Sequence, residues 1–136
     1  MNKKGFTLIE LLATLVILSI VVTIGGVAIT RTISNSKEKN YQVLVKNIKS
    51  AVETYYHECN YGGGSISCSD TLSLKDLVTY GFISSNGAGG TLINPKNDEN
   101  ISSCKIRYTY IATSNSIIVS DVSGNENCPK NADYNN

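Results

Sequence analysis

The sequence predicts an α+β protein. One long N-terminal helix, with a membrane half and an amphipathic half, is expected to carry a small antiparallel β-sheet head packed on its C-terminal half. Three observations predict this class. Residues 6–29 are almost uniformly apolar, the following residues carry apolar side chains at spacings of three and four, and two segments near the C-terminus alternate apolar with polar residues.

The apolar segment, residues 6–29, is long enough to cross a membrane. As a helix it would span about 36 Å, against about 30 Å for the hydrocarbon core of a bilayer. Lys3 and Lys4, which precede it, are also typical of the start of a secretory signal peptide. The segment is long for such a peptide and no clear small-residue cleavage site follows it, so a retained transmembrane helix is the favoured interpretation.

The helical pattern continues beyond the apolar segment without an interrupting proline. Lysines and Glu53 occupy much of the opposite surface, which makes this second half amphipathic. One helix is therefore expected over residues 6–57, and its apolar stripe needs a second layer to cover it. The stripe consists of Tyr41, Leu44, Val45, Ile48, Ala51, Val52, Tyr55 and Tyr56.

The head is expected to begin with a glycine-rich loop over residues 59–68. Residues 71–82 contain leucines at mixed spacing before Gly81, which predicts a short helix that ends at a glycine cap. Residues 104–112 and 116–122 have the two-residue alternation of strands, and a turn-forming TSNS segment lies between them. These two strands predict an antiparallel hairpin.

The chain has four cysteines and no C-x-x-C pair, the spacing that would indicate a zinc or redox site. An even number of cysteines in so small a body predicts two disulfides and an oxidising compartment. The alternative is four buried free thiols in a cytoplasmic protein. If the hairpin turn is centred after Ser114, Cys104 faces a position three residues from Cys128, which favours a Cys104–Cys128 bridge. Cys59 and Cys68 then close the glycine-rich loop.

The composition gives no support to catalysis or to nucleic-acid binding. The formal net charge is +1, and no basic block follows the first four residues. The single histidine, His57, lacks companions for a catalytic or metal site, and the glycine-rich stretches lack the context of a phosphate-binding loop. We therefore expect no catalytic residue, no metal and no cofactor, and we expect most tyrosines to pack in the core.

One acidic residue, Glu10, interrupts the apolar segment. A carboxylate at membrane depth is costly unless it lies near an interface or has a partner. Residues 3–10, KKGFTLIE, match the prepilin motif, and the apolar run, amphipathic helix and disulfide-bearing head follow in order. The chain thus resembles the type IV pilins and pseudopilins. The resemblance is specific over the N-terminal segment and architectural afterwards.

The resemblance implies that a prepilin peptidase cleaves between Gly5 and Phe6 and N-methylates Phe6. Because Gly5 has no side chain, its extended backbone fits a narrow protease cleft. The new α-amine of Phe6 is cationic near neutral pH and is a partner for Glu10. An internal pair is one possibility, since the two residues are four apart; the family implies instead that Glu10 pairs with the Phe6 amine of a neighbouring subunit.

The resemblance also implies a plan for the chain. Residues 1–5 are a leader peptide, residues 6–30 a transmembrane and filament-core helix, residues 31–58 the amphipathic half of that helix, and residues 59–136 the β head. Many pilins place a proline midway along the apolar part, where this chain has Gly25 and Gly26. Two roles stay open for these glycines: loosening of the helix on assembly, and close helix packing.

The partners implied by the resemblance are identical or related pilin subunits, the prepilin peptidase and the inner-membrane assembly machinery. Nucleic acid becomes a partner only if the fibre is a DNA-uptake pseudopilus. The precursor is expected to be a single-pass cytoplasmic-membrane protein with an extracytoplasmic head, which assembly moves into a cell-surface filament.

Two other classes compete with a structural filament subunit. A monomeric, membrane-anchored, adhesin-like binding module would keep residues 1–5 and use the helix as a plain signal anchor. A small secreted enzyme is the weakest hypothesis, because no constellation of nucleophile, base and orienting group is visible.

Overall fold

The computed structural model describes residues 4–63 and 66–136. Lys3, with the rest of the expected leader before residue 4, lies outside the described residues, and so do two residues of the glycine-rich loop. The chain divides into two compact units, Met1–Ser36 and Lys37–Asn136. The fold class is α+β as predicted, with one long N-terminal helix and a small antiparallel sheet packed on its C-terminal half.

Helix α1 covers Leu8–Tyr61, so it begins two residues after and ends four residues beyond the predicted range. Its C-terminal extension ends at two glycines. The Gly62 N–H donates to the Glu58 carbonyl at 2.8 Å, and Gly63 takes a φ of +88°, which favours glycine. The helix continues through Gly25 and Gly26.

In the first unit, the apolar side chains of α1 are exposed along the whole of its described length, from Leu8 to Ile33. The hydroxyls among them are satisfied inside the helix. Thr14 donates to the Leu11 carbonyl at 2.8 Å, and Ser19 to the Val16 carbonyl at 2.7 Å. These polar groups therefore need no partner from water or from another chain.

In the second unit, α1 contributes the largest share of the core. Seven of the eight residues of the predicted stripe are buried, and Tyr56 is half-buried. The buried side chains of the stripe form one core cluster with side chains of the sheet and of the two short helices. The remaining elements are β1 (Thr71–Ser73), α2 (Leu74–Thr79), a 3-10 helix (Ala88–Gly90), β2 (Ile93–Asn94), β3 (Glu99–Asn100), β4 (Lys105–Ile111), β5 (Ser116–Ser123) and α3 (Asn131–Tyr134).

The main sheet has three antiparallel strands in the order β1-β4-β5. The predicted hairpin is the pair β4–β5. Strand β1 occupies the first three residues of the segment 71–82, for which the sequence predicts a helix. The predicted short helix is α2, which starts three residues later because Ser73 and Asp76 cap its N-terminus reciprocally. It ends before Gly81, whose φ is +80°. A second, two-stranded sheet pairs β2 with β3.

The turn between β4 and β5 is displaced by one residue from its predicted position. Ile111 pairs with Ser116, which centres the turn after Thr113 and not after Ser114. The four-residue turn closes with Asn115 at a φ of +50°, a conformation that asparagine tolerates better than most residues.

A β-bulge in β5 shifts the strand register by one residue toward the base of the hairpin. Arg107 pairs with Asp121 and Tyr108 with Val119, so Ser120 is the extra residue. The Ser120 hydroxyl donates to the Arg107 carbonyl at 3.1 Å. The bulge shifts the alternation of β5, so that Val119 is buried before it and Val122 packs on the core after it.

All four cysteines are in disulfides. Cys59 is joined to Cys68 with their Cα atoms 5.2 Å apart, and Cys104 to Cys128 with theirs 5.8 Å apart. The second bridge ties the residue before β4 to the segment that leads into α3. Gly124 lies against it with a φ of +146°, and an added Cβ would fall 2.6 Å from Cys128 Sγ, so the bridge requires glycine there.

The C-terminal segment closes the open edge of β5. The Asn135 carboxamide accepts from the Val119 N–H at 3.1 Å and donates to the Val119 carbonyl at 2.9 Å, as a neighbouring strand would. Asp133 accepts from the Tyr41 hydroxyl at 2.7 Å. The adjoining Tyr134 is buried in the core.

Alkaline pH is expected to unfold the head. Burial raises the pKa of Tyr41, of Tyr134 and of Tyr108, the last to about 12. In the unfolded chain a tyrosine pKa is about 10. The stabilisation from these protonated phenols is therefore complete below about pH 10 and is lost as the pH rises through their folded-state pKa values. The denaturation midpoint of the head should be measured at a series of pH values from neutral to strongly alkaline. We expect the midpoint to decrease once the pH exceeds about 10. In the Tyr41→Phe variant, which has one buried phenol fewer, this decrease should be less steep.

Candidate functional site

The N-terminus of α1 is organised by a reciprocal pair of hydrogen bonds between Thr7 and Glu10. The Thr7 N–H donates to Glu10 Oε2 at 2.9 Å, and the Glu10 N–H lies 3.4 Å from Thr7 Oγ1, which accepts from it. This is a capping box, with Thr7 at the cap and Glu10 three residues later. It explains why the helix begins at Leu8. The sequence signal T-x-x-E is present in TLIE and was missed.

The capping box gives Glu10 a partner in its own chain. The carboxylate accepts a backbone hydrogen bond at the helix N-terminus, where the helix dipole also favours negative charge. The side chains of both residues are exposed. Glu10 therefore lies in the first turn of an apolar helix, and its carboxylate accepts a hydrogen bond from the Thr7 amide.

Gly5 and Phe6 lie just before the helix, outside its hydrogen-bonded turns. Phe6 is 84% exposed, and a Cβ added to Gly5 would meet no atom within 4 Å. The peptide bond between them is thus part of an open, non-helical segment. A protease can bind such a segment in extended form without unwinding α1.

An exposed apolar surface follows this segment directly. Among the described residues, α1 is the one helix that is long and apolar enough to cross a membrane. No residue in its most apolar stretch is buried. Gly25 and Gly26 lie on this surface, and a Cβ added to either would meet nothing within 4 Å. The two glycines therefore make no close packing contact within the described chain.

His57 lies among aromatic rings near the end of α1, at centroid distances of 5.6 Å from Tyr56, 5.9 Å from Tyr110 and 6.2 Å from Tyr61. Within residues 4–63 and 66–136, no group of three or more His, Cys, Asp or Glu side chains is arranged to hold a metal ion.

The N-terminal segment matches a known family. Residues 1–26 match the family described as the prokaryotic N-terminal methylation motif, a match over 26 of the 136 residues. No match was found among curated proteins or among solved structures. The chain thus carries the motif of precursors that are methylated at a new N-terminus. More particularly, the prepilin-type motif and the apolar helix indicate a precursor like those of type IV pilins and pseudopilins.

Proposed function

We propose that this chain is a structural subunit of a type IV pilus, or of a type II secretion or competence-like pseudopilus. Prepilin peptidase cleaves it between Gly5 and Phe6, and it polymerises through the helix of residues 6–30. The observation that carries this proposal is the combination of a matched methylation motif with an exposed apolar helix that begins inside the motif.

Cleavage changes the charge and chemistry of the N-terminus. It removes the two leader lysines, Lys3 and Lys4, which takes the formal side-chain charge from +1 to −1. It also creates the α-amine of Phe6, which is N-methylated and remains cationic near neutral pH. A cation and the Glu10 carboxylate then occupy one end of the same apolar helix.

The capping box is compatible with a second partner for Glu10. One carboxylate oxygen, Oε2, accepts from Thr7, and an ionised carboxylate has the capacity to accept about four hydrogen bonds. Glu10 can therefore cap its own helix and also accept from the Phe6 amine of a neighbouring subunit. A buried ionic pair of this kind acts best as a register device, here along the filament axis.

The apolar surface serves two environments in this proposal. Lipid covers it in the precursor, a single-pass cytoplasmic-membrane protein, and identical or related subunits cover it in the filament. The disulfide-bonded head supports an extracytoplasmic location for residues 59–136. Gly25 and Gly26, which have no packing partner among the described residues, loosen the helix or admit a neighbouring helix closely during assembly.

Processing is tested by the mass of the chain. Co-expression with a prepilin peptidase is expected to remove residues 1–5 and add one methyl group at Phe6, as measured by intact-mass spectrometry. Gly5→Val should remain full length, because a branched side chain next to the cut bond blocks the protease cleft. Gly26→Ala, a glycine substitution in the helix interior, is the matched control and should be processed like the parent chain. A parent chain that keeps residues 1–5 would instead favour the plain signal anchor of an adhesin-like module.

A further inference from the structure

The second unit, residues 37–136, carries its charges unevenly. Residues 37–49 of α1 contain four basic side chains and one acidic side chain, a formal charge of +3. Residues 50–136 contain five basic and nine acidic side chains, a formal charge of −4 with His57 neutral. The unit therefore has one basic segment, and the rest of it is acidic.

Three lysines form a basic stripe on α1. Lys39, Lys46 and Lys49 are at positions i, i+7 and i+10, which places them on one face of the helix. Gln42 lies on the same face and adds no charge. Lys39 and Lys46 are exposed, and Lys49 is half-buried. In the residues that the structure describes, no salt bridge includes a lysine of the stripe.

The acidic side chains beside the basic stripe are engaged elsewhere. Glu38 and Asp133 line the same cavity as the stripe. A carboxylate oxygen of Glu38 is 2.9 Å from Lys96 Nζ, and Asp133 accepts from the Tyr41 hydroxyl at 2.7 Å. Glu53, one turn beyond the stripe, forms no salt bridge with it across the described ranges. The stripe therefore keeps its positive charge available to another molecule.

The surface around Glu99 and Glu126 is an acidic patch. Hydrogen bonds hold its two segments together: the Asn97 carboxamide donates to the Asn127 side-chain oxygen at 2.6 Å, and the Asn94 carboxamide donates to the Asn127 carbonyl at 2.9 Å. Both glutamates are exposed, and neither forms a salt bridge within the described part of the chain. The patch thus presents two ionised carboxylates on a surface that is fixed by hydrogen bonds.

The other exposed acids outside α1 are offset by a base. Asp98 is in a salt bridge. Asp121 lies opposite Arg107 in the β4–β5 register, and Asp70 precedes Thr71, which lies opposite the same arginine. Opposite charges on neighbouring strands attract each other, so Arg107 reduces the negative charge of this part of the sheet. The acidic patch is therefore the better partner for a basic stripe.

We propose that the basic stripe of one copy of this chain binds the acidic patch of the next copy in the filament. A contact between two different surfaces of the same chain repeats from copy to copy, and it generates a filament when it does not close into a ring. Opposite charges across such a contact suppress wrong partners and fix the register. This inference rests on the proposed function, because it names a surface through which neighbouring subunits meet.

Anionic lipid and nucleic acid are the competing partners for a basic stripe. Each carries negative charge over an extended surface. Residues 50–136, with a formal charge of −4, are repelled by such a surface. A second copy of the chain supplies its carboxylates in one small patch and supplies a basic stripe for the next copy. The charge distribution of the unit therefore favours a second copy.

The proposal is tested by charge reversal in the full chain, with the amount of sheared surface filament relative to membrane-bound subunit as the measurement. The double variant Lys46→Glu, Lys49→Glu should lower this ratio about tenfold or more, because like charges then face each other. The double variant Glu99→Lys, Glu126→Lys should lower it to a similar extent. The chain with all four reversals has opposite charges across the contact again, and it should recover at least about half of the parent ratio.

Two further measurements support the comparison. The matched control Lys75→Glu, Lys105→Glu reverses two exposed lysines outside both surfaces and should assemble like the parent chain. A photo-crosslinker, p-benzoylphenylalanine, in place of Gln42 tests the contact without any charge reversal. Irradiated filaments of that chain should contain a covalent dimer in which position 42 is joined to residues 97–100 or 125–127 of another copy.

Normal filament yield from either double variant at the two surfaces would overturn the proposal. A chain with four reversals that keeps both disulfides and does not recover would also overturn it, and so would a cross-link to any other segment. Loss of the stripe variant from the membrane fraction would indicate a lipid contact instead. If the chain with four reversals does not fold, the cross-link decides. A parent chain that forms no filament would contradict the proposed function, whereas parent filaments that neither reversal affects would contradict this inference alone.

Discussion

Glu10→Ala is expected to yield a subunit that is still cleaved and inserted in the membrane but assembles poorly. The substitution removes the carboxylate that we propose pairs with the Phe6 amine of the neighbouring subunit, which leaves that cation without a partner in an apolar filament core. The measurement is the amount of sheared surface filament relative to membrane-bound subunit. Normal filament yield would defeat the pairing argument.

Glu10→Ala also removes half of the capping box, so a matched variant must separate the two roles. Glu10→Gln keeps an acceptor for the Thr7 N–H, since glutamine also serves in capping boxes, but it loses the charge. Thr7→Ala does the converse, because it removes the hydroxyl acceptor and retains the carboxylate. We expect the Gln variant to assemble as poorly as the Ala variant. The Thr7 variant should assemble far better.

Removal of the Cys104–Cys128 bridge is expected to destabilise the head by about 3.5 kcal/mol, the loop-entropy value for a loop of this length. The two cysteines are 24 residues apart in sequence, and the bridge restrains the segment that leads into α3. A small domain has only about 5 to 15 kcal/mol of stability, so this is a large fraction. The test is the denaturation midpoint of the double variant Cys104→Ser, Cys128→Ser in detergent.

The shorter bridge provides the matched control for this prediction. Cys59 and Cys68 are 9 residues apart, and the same loop-entropy estimate gives about 2.6 kcal/mol. The double variant Cys59→Ser, Cys68→Ser should therefore be destabilised less than the double variant that lacks the Cys104–Cys128 bridge. Thiol labelling of the mature parent chain should detect no free cysteine. Stoichiometric labelling of all four would exclude both bridges and, with them, the argument for an extracytoplasmic head.

The elements that were predicted correctly have long, local patterns. The apolar and amphipathic halves of α1 repeat over many turns, and β4 and β5 are seven and eight residues long. The strands β1, β2 and β3 have two or three residues each, too few for a period to show. Their places in the sheets depend on contacts with residues distant in sequence.

Non-local contacts also explain the errors of register and of the C-terminal segment. The turn of the β4–β5 hairpin lies one residue earlier than predicted, because the composition of TSNS indicates a turn without fixing which residues pair across it. The bulge at Ser120 then shifts the register of β5, which a constant alternation does not anticipate. The pairing of Asn135 with Val119 joins two distant segments, and no local pattern announces it. The capping box of Thr7 and Glu10, by contrast, has a local signal, the T-x-x-E pattern of TLIE, and depends on no distant contact.

The same distinction holds for the N-terminal motif and for the tyrosines of the head. Gly5, Phe6 and Glu10 are proposed as site residues from a contiguous motif, which is visible without any tertiary structure. Tyr56 and Tyr110 were assigned to the core because their spacing matched an apolar stripe and a strand face. Both pack against the core and are half-buried, a degree of exposure that the spacing of the tyrosines does not indicate.

The most direct test of the central claim is mass spectrometry of the N-terminus of this chain in sheared surface filaments. We predict that the filament fraction contains the chain beginning at N-methylated Phe6, without residues 1–5. A chain found only in the membrane fraction, with its N-terminus still at Met1, would contradict the claim that it is processed at Gly5 and polymerises.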